Sequence, residues 1–255
     1  MKMDKFFQHK LLVSILASCS LLLMVSCSKD QLFGFAKRAG NTVTIDRPVK
    51  NNFSKISLND DVDLVITQGN DYSIKLTGGE NLLPDVETKI ADSTLTIANN
   101  NTFNWTRSYE NKITAYVTLP HLFSLNYMAT STVTNADTLR EDSLSVNAAG
   151  GSGYINLAVN IGTAKLSITG GSADMNISGK GGVTFMYSDG YGPFHCLDLK
   201  TDFLFMHNAS SNDCYVNVRH HFEYLISGLG NIYYIGDPPE ITGKSTSSGK
   251  LIKRN

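Results

Sequence analysis

From Thr42 onward the chain is written in short runs where apolar and polar residues alternate. Val62-Asp63-Leu64-Val65-Ile66, Tyr72-Ser73-Ile74-Lys75-Leu76, Thr94-Leu95-Thr96-Ile97 and Ile113-Thr114-Ala115-Tyr116-Val117 all carry the period of two expected of half-buried strands. Turn-forming clusters separate them, among them Gln68-Gly69-Asn70-Asp71 and Gly78-Gly79-Glu80-Asn81. Pro120 closes this first series, and the only helical signal in it is one turn near Glu80 to Pro84.

After Pro120 the pattern becomes a repeat. The turns run Ala149-Gly150-Gly151-Ser152, Thr169-Gly170-Gly171-Ser172, Ser188-Asp189-Gly190-Tyr191, Asn208-Ala209-Ser210-Ser211, Ser227-Gly228-Leu229-Gly230 and Thr246-Ser247-Ser248-Gly249. With Ser152, Ser172, Tyr191 and Ser211 as markers, the steps are twenty, nineteen and twenty residues. Taken from these markers, the inward positions before each turn are Leu166/Ile168, Phe185/Tyr187, Phe205/His207 and Tyr224/Ile226. Those after it are Ile155/Leu157, Met175/Ile177, Phe194/Cys196, Cys214/Val216 and Ile232/Tyr234. A coil of about 20 residues cannot bury its inner face alone; stacking in register builds a continuous core. An antiparallel sandwich is the rival architecture, but it gives turns no reason to stay in phase. The prediction is an all-β parallel solenoid over 121–255, preceded by short strands over 42–120.

The order of motifs resembles the auto-transporter adhesin head domain, or GIN domain. The resemblance rests on Phe53-Ser54-Lys55-Ile56, Asp61 to Gly69, Asn81-Leu82-Leu83, Asp92 to Ile97, Ile113 to Pro120, the serial Gly-Gly-Ser turns and Ile232 to Pro238. It implies a right-handed parallel β-helix spanning about 42–255 as one adhesin-head-like domain, on a secreted or lipid-anchored bacterial protein. The turns at Ser188 to Tyr191 and Asn208 to Ser211 depart from the family's Ser-Gly-rich form.

The N-terminus follows a different rule. Lys2, Lys5 and Lys10 precede an almost unbroken apolar run from Leu11 to Val25, the layout of a secretory signal over 1–26. Leu23-Met24-Val25-Ser26-Cys27 is similar to the lipobox of bacterial lipoproteins, which makes Cys27 the expected lipid attachment and 27–41 a tether. The rival, Leu16-Ala17-Ser18-Cys19, would leave the apolar stretch Ser20 to Val25 exposed to water. Ser28 permits outer-membrane sorting by the same resemblance, so the expected location is the outer membrane, on its periplasmic or surface side.

Composition narrows the function. Charged residues make up 18% and the formal net charge is -1, without the basic patch that phosphate binding needs, so nucleic acid is not an expected partner. An enzyme on a β-helix needs convergent carboxylates, or basic groups with an acidic metal cluster. In register, Tyr154, Asp174, Pro193 and Asp213 separate the two aspartates by two coils, too far for a retaining pair. His220 and His221 are neighbours on a strand, a poor metal site. His207 takes an inward position in this phase, as a core histidine. Cys196 and Cys214 fall on inward positions offset by two residues, and buried free thiols are expected over a disulfide. The expectation is therefore a non-enzyme with no cofactor and no metal.

Two features suit binding instead. The loop Asn99 to Tyr109 carries Phe103, Trp105, Arg107 and Tyr109 among amides, a chemistry for sugars or peptides, although the same aromatics could tuck onto the solenoid. The second feature lies on the outer surface of the later coils. In the phase above, Ser167 is followed by Met186, Met206 and Leu225, and Asn156 and Asn176 are followed by His195, Tyr215 and Tyr233. Polar coils thus give way to apolar, aromatic ones on two faces. The function expected is a binding or scaffolding lipoprotein held at the membrane by its lipid. Its partner would be a glycan, an envelope protein or a second copy. A polysaccharide lyase or hydrolase and a purely structural, self-associating protein are the alternatives.

Overall fold

The computed structural model describes residues 39–101 and 112–254. Of these, residues 39–100 and 112–254 belong to one compact unit. Its strands are β1 (Thr42–Arg47), β2 (Lys55–Asp60), β3 (Asp63–Gln68), β4 (Ser73–Gly79), β5 (Val86–Ala91), β6 (Thr94–Asn99), β7 (Thr114–Leu119), β8 (Ser124–Ala129) and β9 (Thr132–Asn135). They continue as β10 (Leu139–Ala148), β11 (Tyr154–Ile168), β12 (Asp174–Ser188), β13 (Phe194–Asn208), β14 (Cys214–Ile226), β15 (Ile232–Ile235), β16 (Glu240–Ser245) and β17 (Leu251–Lys253). Among the described residues the one helical element is a 3-10 turn at Leu83–Asp85, where the sequence had signalled a single turn.

The strands stack into a parallel β-solenoid, as the repeat predicted. The strands before the Gly/Ser turns build one wall. In it β2 pairs with β8, β8 with the end of β10, and the second halves of β11, β12, β13 and β14 follow up to β16. The strands after the turns build the other, from β3 through β9 and the first halves of β11 to β14, to β15 and β17. β11, β12 and β13 are long because each runs through a corner from one wall into the next. The strands before Pro120 share this sheet and the same core: β6 and β7 flank β2 and β3, and antiparallel β1, β4 and β5 cover the sheet beyond them. Covering the edge satisfies backbone groups that would otherwise invite another chain to pair.

The core is a set of columns of like side chains. Val133, Ile155, Met175, Phe194, Cys214 and Ile232 stack rung on rung, all buried, as do Val146, Leu166, Met186 and Met206. Glycine holds two tight places. Gly171 has φ +51°, and a Cβ there would lie 2.5 Å from Gly151 O; Gly179 has φ +109°, and its Cβ would lie 2.1 Å from Val159 O.

The phase read from the turn markers is correct after the turns and off by one residue before two of them. Leu166 pairs with Met186 and Met186 with Met206, so both methionines point inward and are buried. Phe185 and Tyr187 are outward and exposed, while Phe205 and His207 are outward and half-buried, so His207 is not a core histidine. The turn before Tyr191 is one residue shorter than the turn before Ser172: Asp189-Gly190 replaces Thr169-Gly170-Gly171. A marker placed after the shortening assigns the preceding strand to the wrong face. Both faces of these strands are apolar, so hydrophobicity could not flag the slip.

Candidate binding faces

The wall after the turns carries an outward column that changes character along the solenoid. In register it reads Val65, Thr134, Asn156, Asn176, His195, Tyr215, Tyr233 and Ile252. The amides form a low step: Asn176 Nδ2 donates to Asn156 Oδ1 at 2.7 Å. Above it the rings stack. His195 and Tyr215 lie 5.4 Å apart at 13°, and Tyr215 and Tyr233 lie 5.2 Å apart at 12°. The Arg254 guanidinium sits 5.7 Å from the Tyr215 ring centre and 5.9 Å from that of Tyr233.

This geometry decides what the rings can do. Stacking turns the faces of Tyr215 and Tyr233 toward each other, leaving their edges outward and unable to take a sugar ring face-on. His195, exposed at the end of the stack, has one face covered by Tyr215 and the other turned toward Asn176. There a groove of about 650 Å³ opens, floored by Asn156, Ala158, Asn176 and Ser178 and flanked by Asp198 and Arg254. It offers one aromatic face, a row of amides and one charge of each sign.

The wall before the turns carries the second face. Phe185 and Phe205 stack at 5.1 Å and 18°, and Tyr187 meets His207 edge-on at 5.3 Å. Phe185, Tyr187 and Phe203 are 42%, 36% and 45% exposed, enough to make a contiguous patch. Leu225 is outward and half-buried beside His207, as expected. The aromatics that dominate here escaped the sequence reading because of the phase slip. Phe103, Trp105, Arg107 and Tyr109 lie outside the described residues, as do Cys19 and Cys27.

The groups weighed for other chemistry have structural partners. Asp213 Oδ1 accepts from Asn231 N at 2.8 Å and Asn231 Nδ2 at 3.1 Å, pinning a turn. His221 Nδ1 lies 3.0 Å from Glu240 Oε2, and His220 Nε2 3.9 Å from Asp202 Oδ1. Cys196 and Cys214 are free and buried, with Phe194 over Cys214 and Cys196 over Val216. Burial pushes both thiols up to about 12. A carboxylate that the sequence did not single out, Glu141, accepts from Leu122 N at 2.8 Å and Gln68 Nε2 at 2.9 Å, tying neighbouring rungs together. Among the described residues no group of three or more acidic, histidine or cysteine side chains could hold a metal ion, and no helix is long and apolar enough to cross a membrane.

The described residues thus define an all-β protein built as a parallel β-solenoid whose outer walls change character from rung to rung. Residues 52–238 match the family described as "Putative auto-transporter adhesin, head GIN domain", and the chain belongs to it. The fold is similar to that of a putative adhesin from Bacteroides fragilis, at TM-score 0.75 and 19% identity, covering 84% of this chain and 97% of that one. It also resembles a putative adhesin from Parabacteroides merdae (TM-score 0.61, 18% identity, 85% and 97% covered). A third similar structure is a putative lipid binding protein from Parabacteroides distasonis (TM-score 0.65, 18% identity, 85% and 98% covered). No curated protein matches.

Proposed function

We propose that this chain is a non-catalytic binding module of the cell envelope, held at the outer membrane by lipid on Cys27, whose groove beside His195 takes a glycan. The observation that carries the reading is the step in the outer column, where the free face of His195 meets the amides of Asn156 and Asn176. A sugar ring presents an apolar face and a polar edge, and this step answers both at once. Membership in an adhesin family supports a binding role. The groove is open and floored by amides, so it does not enclose an acyl chain, which disfavours lipid as its ligand.

The test is a glycan array probed with the protein, followed by incubation with any glycan that binds and assay for new reducing or unsaturated ends. Binding without cleavage is expected; cleavage would make the protein an enzyme and overturn the reading. For the anchor, Cys27→Ser should release the protein from the membrane fraction. Release by Cys19→Ser alone would move the lipid to the other cysteine.

A further inference from the structure

The aromatic wall before the turns has a charge pattern that selects its partner. One outward column runs Lys165, Phe185, Phe205, Glu223 in successive rungs: a cation, two aromatics, an anion. The next runs Ser167, Tyr187, His207, Leu225. Lys165 and Glu223 are both exposed, and neither has an ion-pair partner among the described residues.

We infer that this wall is an isologous interface between two copies of the chain, packed face to face with their solenoid axes antiparallel. A two-fold axis between two such faces can run along the solenoid or along the strands. Along the solenoid it sets Lys165 against Lys165 and Glu223 against Glu223 when it lies over this column, and Lys165 against Ser167 and Glu223 against Leu225 when it lies midway to the next, so it forms no ion pair in either place. Along the strands, midway between the Phe185 and Phe205 rungs, it sets Lys165 against Glu223 twice, Phe185 against Phe205 twice and Tyr187 against His207 twice. The flanking rungs then meet without like charges: Ser143 faces Glu240, and Asn147 faces Lys244. Sliding one rung either way puts Lys165 opposite Thr242 or Phe205 and loses the pairing. The column is thus self-complementary in one register only. Four rungs at about 4.8 Å and six residues at about 3.3 Å give a flat face of roughly 400 Å² per copy. That is about half of what a standard stable interface buries, so the dimer is weak and reversible. The interface does not involve the groove beside His195, which lies on the other wall.

The test is sedimentation equilibrium over a wide concentration series on residues 39–255, which contain the whole compact unit and its core. A reversible monomer–dimer equilibrium is expected. Lys165→Glu and Glu223→Lys should each weaken it about tenfold or more, since each sets like charges opposite each other at two places. The double variant Lys165→Glu/Glu223→Lys should return to within a few-fold of the original. Both positions are exposed, so the melting temperature should not move. A monomer at every concentration would leave the wall to some other partner and overturn the inference. Single reversals without effect, or a double variant no better than the singles, would overturn it equally.

Discussion

At the scale of single residues, the solenoid uses polar groups to finish turns that glycine does not. Asn208 occupies an inward position and is fully buried. Its Oδ1 accepts from Ser210 N at 3.1 Å and Ser210 Oγ at 2.9 Å, and its Nδ2 donates to Asn212 O and Gly230 O, both at 3.1 Å. The departure from a Gly-rich turn at Asn208 to Ser211 is therefore compensated by an amide that satisfies the backbone. Tyr127 does similar work, donating to Ser131 O at 2.6 Å, and burial raises its phenol to about 12. With Cys196 and Cys214 also raised to about 12, three groups are held neutral by the fold. A raised folded pKa means that the stabilisation is complete below the unfolded value, near 9 for the thiols and 10 for the phenol. It is lost as pH rises toward 12, at up to about 1.4 kcal/mol per pH unit per group. Denaturant melts should thus show stability falling from pH 9 upward. In the double variant Cys196→Ala/Cys214→Ala the fall should start nearer pH 10. An identical pH profile in both proteins would show that the thiols are not sequestered.

At the scale of the strand, alternation located β3, β4, β6, β7 and β11 to β15, because each of these strands has one face in a shared core. It also placed Ile155, Leu157, Leu166, Ile168, Met175 and Ile177 inside, where they are all buried. What alternation could not decide was the face of the second halves of β12 and β13. There Phe185, Met186 and Tyr187 are apolar in succession, so the period of two vanishes and only the turn length fixes the register. The ring column His195, Tyr215 and Tyr233 was legible as outward because it follows the turn. Their ring geometry was not, since stacking depends on side-chain torsions that the pattern does not encode. β11 offers the direct check on the alternation. Leu166→Ala should cost about 2–5 kcal/mol, as it opens a cavity between Val146 and Met186. Ser167→Ala loses the 2.8 Å bond to Asn147 Oδ1 on the half-buried outer face and should cost about 1 kcal/mol or less. Equal costs in urea melts would contradict the assigned faces.

At the scale of the molecule, stacking converts a sequence gradient into a surface gradient. Identical backbone rungs carry amides and hydroxyls early and aromatics late, so each wall acquires a boundary between a low polar stretch and a tall aromatic one. On the wall after the turns that boundary is the groove beside His195; on the other wall it is the rung of Lys165. A rigid solenoid holds both in fixed register with little reorganisation on binding, which suits recognition of an extended surface ligand. The most direct measurement of the central claim is a glycan array run in parallel on the protein and on two double variants, each with its melting temperature. Asn176→Ala/His195→Ala removes the step, and Phe185→Ser/Phe205→Ser alters the other wall. The account predicts that the first variant loses at least tenfold in glycan affinity with an unchanged melting temperature, while the second binds like the original. Full binding by the first variant, or loss confined to the second, would contradict it.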